Sequence, residues 1–173
     1  MISRIRSAYS RGLALVVGDA RKRWYFVVPA LVVLVLVFQY VRFNVTPSLP
    51  YRIVLQLPYA GTPLVRDDLV IYSANLSKFL DLPGNAALFK RVKGLPGDVI
   101  RVEERKVYVN GIYVGRAKER SVRGQVLEPI APGVIPDGMV YVAGDAADSL
   151  DSRYAQQGLV PVKAIRSKVV PLV

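Results

Sequence analysis

Histidine and cysteine are both absent from the 173 residues. Their absence removes the usual base of a serine triad, the cysteine nucleophile, and the nitrogen and sulfur ligands of zinc. Any nucleophilic chemistry is left to Ser, Thr or Lys. No disulfide framework can form, so thiols say nothing of the compartment. Acidic residues are also scarce, 13 against 24 Lys and Arg, which leaves a formal charge of +11. These positive charges are not interleaved with aromatics in a nucleic-acid-binding motif, and no nucleic-acid partner is expected. The length accommodates one membrane segment and one compact domain.

Several of the positive charges precede an apolar run. From Trp24 to Val41 the chain reads WYFVVPALVVLVLVFQYV, about 18 residues without a charge, near the lower limit for a helix crossing a bilayer. Trp24, Tyr25 and Tyr40 sit at its ends, where amphipathic rings favour the headgroup region, and Pro29 is tolerable in its first half. Arg4, Arg6, Arg11, Arg21, Lys22 and Arg23 precede it against Asp19 alone, a bias retained in the cytoplasm. The expected organisation is a basic cytoplasmic segment over 1–23, a transmembrane helix over 24–41 and an external domain over 42–173. A cleaved signal peptide is the competing reading. The run is long for such a segment, starts late and lacks a small-x-small site at its end, so a retained anchor is expected.

Beyond the anchor the pattern is that of strands. YRIVLQL (51–57) and DDLVIYSA (67–74) are β-branched or aromatic runs on either side of a Gly61, Thr62, Pro63 turn cluster. Residues 77–84 read as a weak helix or loop, and ALFKRVKG resumes a strand. Leu95, Pro96, Gly97 and Asp98 have the residues of a type II turn. In KVYVNGIYVG, Asn110 and Gly111 between alternating residues give a strong hairpin signal. Residues 116–138 are expected to be irregular, MVYVAGD to be a strand, and LVPVKAIRSKVVPLV to close the fold as one or two strands interrupted by proline. The expected fold class is mainly β: one N-terminal transmembrane helix, then one compact, mostly antiparallel domain.

Two motifs bear on chemistry. In NVTPSLP (44–50), Pro47 and Pro50 stiffen a stretch carrying Ser48 close to the membrane exit, which reduces the freedom its hydroxyl loses on reaching attack geometry; an ordinary linker is the alternative. A serine needs a base, and without histidine the available one is a neutral lysine amine, which must be desolvated to lose its proton near neutral pH. Alternation puts Leu88, Lys90 and Val92 on one strand face and Phe89, Arg91 and Lys93 on the other. The alternative is a solvated basic patch. A third stretch, GDAADSLDSRYAQQG (144–158), suits a polar network. Asp145, Asp148 and Asp151 recur every three residues, but this is not the spacing of a calcium loop, and neither metal nor cofactor is expected.

In this order, NVTPSLP, FKRVKGLPGDVIRV, the VYVNG hairpin, and IPDGMVYVAGD with SLDSRYAQQGLVP resemble the boxes of the signal peptidase I family of Ser/Lys peptidases. The resemblance runs from Asn44 to the C-terminus. It implies Ser48 as nucleophile, Lys90 as general base, and an oxyanion hole from the Ser48 amide and the Thr46 hydroxyl. Ser149 would orient the lysine, and Asp151 with Arg153 would buttress the site. The last box is one residue short, which leaves Asp145 the doubtful member. Thr46, Ser48, Leu49 and Pro50 are more similar to the conjugative-transfer group typified by TraF than to housekeeping enzymes.

That likeness implies an inner-membrane enzyme, catalytic domain in the periplasm, processing a pilin precursor beside pilus-assembly or type IV secretion components and membrane lipid. Its acyl-enzyme would be released by water or, in cyclisation, by the pilin's own amino terminus. The alternatives are a general signal peptidase acting on exported preproteins and a non-catalytic pilus-assembly scaffold. A self-cleaving repressor is remote.

Overall fold

The computed structural model describes residues 23–44, 49–75 and 85–172. The chain divides into two compact units between Val41 and Arg42.

The first contains helix α1 (Trp24–Tyr40), apolar around its whole circumference, with Pro29 inside it. Trp24, Phe26, Leu31, Leu34, Val37 and Phe38, spread around the helix, are all exposed. Its 17 residues give about 26 Å of helix, short of a hydrocarbon core of about 30 Å. Among the described residues no helix is long and apolar enough to cross a membrane. The run expected to continue to Val41 stops at Tyr40 because Val41 takes extended geometry and opens strand β1 (Val41–Phe43).

The second unit is antiparallel in the strand pairings of its described residues, as expected. Its strands are β2 (Ile53–Pro58), β3 (Leu69–Asn75), β4 (Asn85–Gly94), β5 (Val99–Glu103), β6 (Lys106–Val109), β7 (Ile112–Arg116), β8 (Gly133–Val134), β9 (Met139–Ala143), β10 (Val160–Pro161) and β11 (Ile165–Pro171). They form a seven-stranded sheet in the order β1-β2-β11-β3-β4-β9-β10 and a four-stranded sheet in the order β7-β6-β5-β8. The closing segment yields two strands, as proline predicted: β10 ends at Pro161 and a 3-10 turn (Val162–Ala164) leads into β11. Most of the expected strand runs are present. Residues 77–84 lie outside the described residues, and 116–138 is largely irregular apart from β8.

Strand β9 explains why MVYVA is apolar without alternation. Val140 and Val142 pack with Val70, Tyr72, Val92 and Val160 on one side, while Tyr141 and Ala143 pack with Ile100, Val107, Val109 and Ile135 on the other. A strand covered on both faces needs apolar residues at every position. A third cluster, Leu49, Val54, Leu69 and Val169 with Phe89 against it, covers the remaining face near β2 and β11.

The turns carry the register. Asp98 N–H bonds to Leu95 O at 3.1 Å with Gly97 at φ +86°, the geometry expected of Leu-Pro-Gly-Asp. The Asp98 carboxylate accepts from Leu95 N (2.7 Å), Asn110 Nδ2 (2.7 Å) and Arg66 (2.5 Å), so one side chain ties this turn to the β6–β7 hairpin and to the β2–β3 connection. Asn110 (φ +49°) and Gly111 (φ +80°) form the hairpin turn that sequence predicted. A second two-residue turn, Glu104 and Arg105, also lies at positive φ without either favoured residue. It is held from a distance: the Arg105 guanidinium donates to the carbonyls of Ala117, Lys118 and Leu127.

Between Val92 and Gly94, just before the Leu95–Asp98 turn, the pairing of β4 with β9 shifts in register. A Cβ there would stand 2.6 Å from Ile135 Cδ1, 3.0 Å from Tyr141 Cβ and 3.1 Å from Val109 Cγ1. Gly94→Ala is therefore expected to destabilise the domain by roughly 1–3 kcal/mol through overpacking. Adding Ile135→Val, which removes the nearest atom, should recover part of that loss in urea unfolding; a Gly94→Ala midpoint equal to wild type would refute the packing argument.

Candidate active site

Lys90 sits in the middle of β4, between β3 and β9, paired across with Val70. Alternation along β4 puts its side chain on the face of Val92, and it is 3% exposed, which decides against a solvated patch. Arg91 and Lys93 point the other way and meet Asp67, which is exposed. Burial is the largest influence on the Lys90 amine and pulls its pKa from 10.5 to about 8; Asp151 opposes this by stabilising the ammonium, and Arg153 assists it. The period-two pattern delivers a basic amine to an apolar face and keeps the neighbouring cations off it.

The loop after β9 supplies the charges that act on this amine. Asp151, fully buried, accepts from Gly144 N at 2.8 Å and from Arg153 N at 3.1 Å. Arg153 grips both its oxygens, Nε at 2.8 Å and Nη2 at 2.7 Å. The same Nη2 donates to Ala146 O (2.9 Å) and Ser149 O (3.3 Å), fixing the loop that carries Ser149. Ser149 is 3% exposed, and its hydroxyl has no hydrogen-bond partner among the described residues. The backbone around it is thus held by Arg153 while its Oγ is uncommitted.

The three aspartates that recur at equal spacing part company. Asp145 is half-exposed and meets Arg91 at 3.5 Å, on the far face of β4. Asp148 pairs with Lys118, and only Asp151 joins Arg153. Each carboxylate has its own cation, and among the described residues no group of three His, Cys, Asp or Glu could hold a metal ion. Asp145, grouped in the sequence with the residues supporting the lysine, instead belongs to the Arg91 pair.

Three contributors escaped the sequence reading. Ser152 is fully buried and stitches the loop to β9, its Oγ accepting from Val142 N (3.1 Å) and its N–H donating to Val142 O (3.0 Å). Tyr72 is also fully buried, and its hydroxyl, like that of Tyr141, has no hydrogen-bond partner among the described residues; burial first, then the charge of Asp151, raises its pKa. Gly115, at φ +140°, packs so closely on Arg153 that a Cβ would be 2.7 Å from its Cδ. The glycine in YVG was the visible signal for that approach. Ser48 and Thr46 lie outside the described residues, although their flanks, Asn44 and Leu49, lie within them.

The model of the family described as signal peptidase, peptidase S26, matches residues 20–173. The chain belongs to this signal peptidase family. It is 28% identical over 128 residues to the conjugal transfer protein TraF of Agrobacterium fabrum, covering 65% of this chain and 72% of that one. It is 31% identical over 129 residues to a signal peptidase I of Bacillus caldolyticus, covering 68% of this chain and 65% of the relative. A crystal structure of a signal peptidase I from Enterococcus faecalis is 21% identical with a TM-score of 0.38, covering 62% of this chain and 97% of that one. Membership places the chain among serine peptidases of the S26 family, in which a histidine-free sequence must find its base elsewhere.

The buried lysine has a thermodynamic signature in this signal peptidase domain. Its folded pKa is depressed, so between about 8 and 10.5 the unfolded chain binds more protons and wild-type stability rises with pH. Lys90→Met is expected to be more stable than wild type at pH 7, by roughly 2–3 kcal/mol on the scale of the shift. The advantage should shrink through pH 9 and vanish above pH 10.5. Urea unfolding of both proteins at pH 7 and 9.5 reads it; a constant difference would mean Lys90 is not desolvated. Asp151→Ala leaves the Arg153 charge buried without its partner and should cost roughly 3–5 kcal/mol in the same assay.

Proposed function

We propose that the chain is a Ser/Lys endopeptidase in which Ser48 is the nucleophile and Lys90 the general base, processing a pilin precursor for conjugative transfer. The observation that carries the reading is the buried Lys90 amine with a pKa near 8 in a serine peptidase family member that has no histidine. At pH 7 about one lysine in ten is then neutral, against roughly one in three thousand at the ordinary value.

In the proposed mechanism the neutral Lys90 amine takes the Ser48 proton as Oγ attacks the scissile carbonyl carbon. The oxyanion accepts hydrogen bonds from the Ser48 N–H and the Thr46 hydroxyl. Collapse breaks the C–N bond, and the lysine ammonium returns its proton to the departing amine. The Ser48 acyl ester is released by water, giving a trimmed linear product, or by the amino terminus of the same peptide, giving a ring. Ser149 hydrogen-bonds the amine and orients it, and Asp151 with Arg153 holds Ser149 in place.

The pilin substrate is favoured by the likeness to the conjugal transfer protein TraF and by Thr46, Ser48 and Pro50 in NVTPSLP. Likeness to a signal peptidase I at 31% identity favours the second reading, a general enzyme for exported preproteins. The proposal includes a single membrane anchor built on α1, with the basic lead inside and the catalytic domain in the periplasm. Support comes from the helix's exposed apolar circumference and its aromatic ends; thinning of the bilayer accommodates a helix a few ångströms short.

Intact mass spectrometry of a co-expressed candidate pilin, with wild-type enzyme beside Ser48→Ala and Lys90→Ala, tests the reading. A dyad-dependent product one water lighter than the trimmed linear peptide identifies a cyclase, and a linear one a hydrolase. Processing that survives both substitutions would sink the dyad. Wild-type kcat/KM is expected to rise with pH through an apparent pKa near 8, the value of the base in the free enzyme.

A further inference from the structure

We propose that a trough between the 116–127 excursion and the loop after β9 is a docking site for an acidic segment of a partner protein, a role independent of the dyad assigned above. Two hollows form it. One, of about 380 Å³, has Arg120, Val122 and Arg123 among its walls and the buried Leu127 and Tyr154 at its base. The other, of about 460 Å³, lies between residues 113–116 of β7 and Gly144 and Asp145 after β9. Lys118 lines both, so the hollows adjoin. Lys93 and Asp145 place the second on the face of β4 opposite Lys90, and a segment held there need not be the one that is cut.

Positive charge dominates the walls. The carboxylates of Asp145 and Asp148 are already engaged by Arg91 and Lys118. Among the described residues no carboxylate pairs with Arg116 or Arg120, both exposed. Guanidinium groups take carboxylates in a two-pronged geometry, so an acidic peptide can set its side chains at these two arginines. A nucleic-acid strand, charged at every phosphate, would meet an aspartate in each hollow.

The rim is held in shape before anything binds. Ser121 N–H donates to Gln125 O and Gly124 N–H to Ser121 O, both at 2.9 Å. Ser121 Oγ accepts from the backbone amides of Arg123 and Gln125, each at 3.2 Å, and Arg120 Nη1 donates to Gly124 O at 3.0 Å. This turn lifts Val122 into solvent, 90% exposed, and Val126 is exposed as well. An ordered turn with an apolar side chain at its tip has little freedom left to lose on docking, and arginine is a residue type that dominates contact energies at interfaces. Lipid is a poorer occupant. In the sheet order β9 stands five strand spacings from β1, the strand that follows α1, about 24 Å at the usual separation.

The test uses the full chain in phosphatidylcholine nanodiscs, with empty discs as blank, and the fluorescence anisotropy of a labelled peptide of about ten residues alternating Glu and Val, roughly 33 Å when extended. Saturable binding is expected, weakened at least about 10-fold when Arg116→Glu and Arg120→Glu are combined, about threefold in Val122→Ser, and progressively by added salt. All three positions are exposed, so the variants should keep the wild-type circular dichroism. Because the chain lacks cysteine, Val122→Cys can carry a single benzophenone, which should crosslink the bound peptide. Equal binding of a peptide with Lys in place of Glu, or an affinity unchanged in the double arginine variant, would overturn the site. Tighter binding of single-stranded DNA would assign the trough to nucleic acid, loss of peptide binding on adding phosphatidylglycerol to the discs would assign it to lipid, and inhibition of precursor cleavage by saturating peptide would assign it to the substrate; each of these also overturns the proposal.

Discussion

The removal of one lysine amine from water is the constraint on which the rest of the site depends. Ammonium groups resist burial strongly, and a lone lysine at the edge of a sheet would turn outward along its own flexible stem. Lys90 has little such escape because β4 lies inside the seven-stranded sheet, with β3 on one side and β9 on the other. What would be a defect in a purely structural protein lowers the amine's proton affinity to about 8, the range in which a lysine can act as a base.

Buried charge of both signs has to be managed around it. The Asp151–Arg153 fork does so by satisfying the carboxylate, which accepts from two backbone amides and from the guanidinium, whose Nη2 also reaches the Ala146 and Ser149 carbonyls. An ion pair built this way contributes less to net stability than to shape, since its attraction is largely offset by desolvation. It converts a loop rich in Asp and Ser into a fixed support. Gly115 matters for the same reason, because a side chain there would push Arg153 out of the fork.

Much of the fold was legible because its signals are local. Alternation in ALFKRVKG identified the face Lys90 occupies, Asn110-Gly111 marked a hairpin, and Leu-Pro-Gly-Asp marked a turn that folds as its residues require. The Glu104-Arg105 turn was not legible. Neither residue favours positive φ, and the conformation is held by carbonyls up to 22 residues away in the chain. The apolar run from Trp24 was legible as a helix but not in its last residue, since Val41 exchanges helical hydrogen bonding for a place in a sheet.

By itself the sequence determined the repertoire: it offers no His or Cys to any chemistry, and the period-two pattern puts one lysine, and not its neighbours, among aliphatic side chains. Tertiary structure alone decided which charges act on that lysine. Asp145, Asp148 and Asp151 are equivalent by spacing, yet they pair with Arg91, Lys118 and Arg153 in turn. Partner choice follows from where the loop crosses β4, β9 and the 116–126 excursion, and no local pattern encodes a distance between segments that meet only after the sheets have packed.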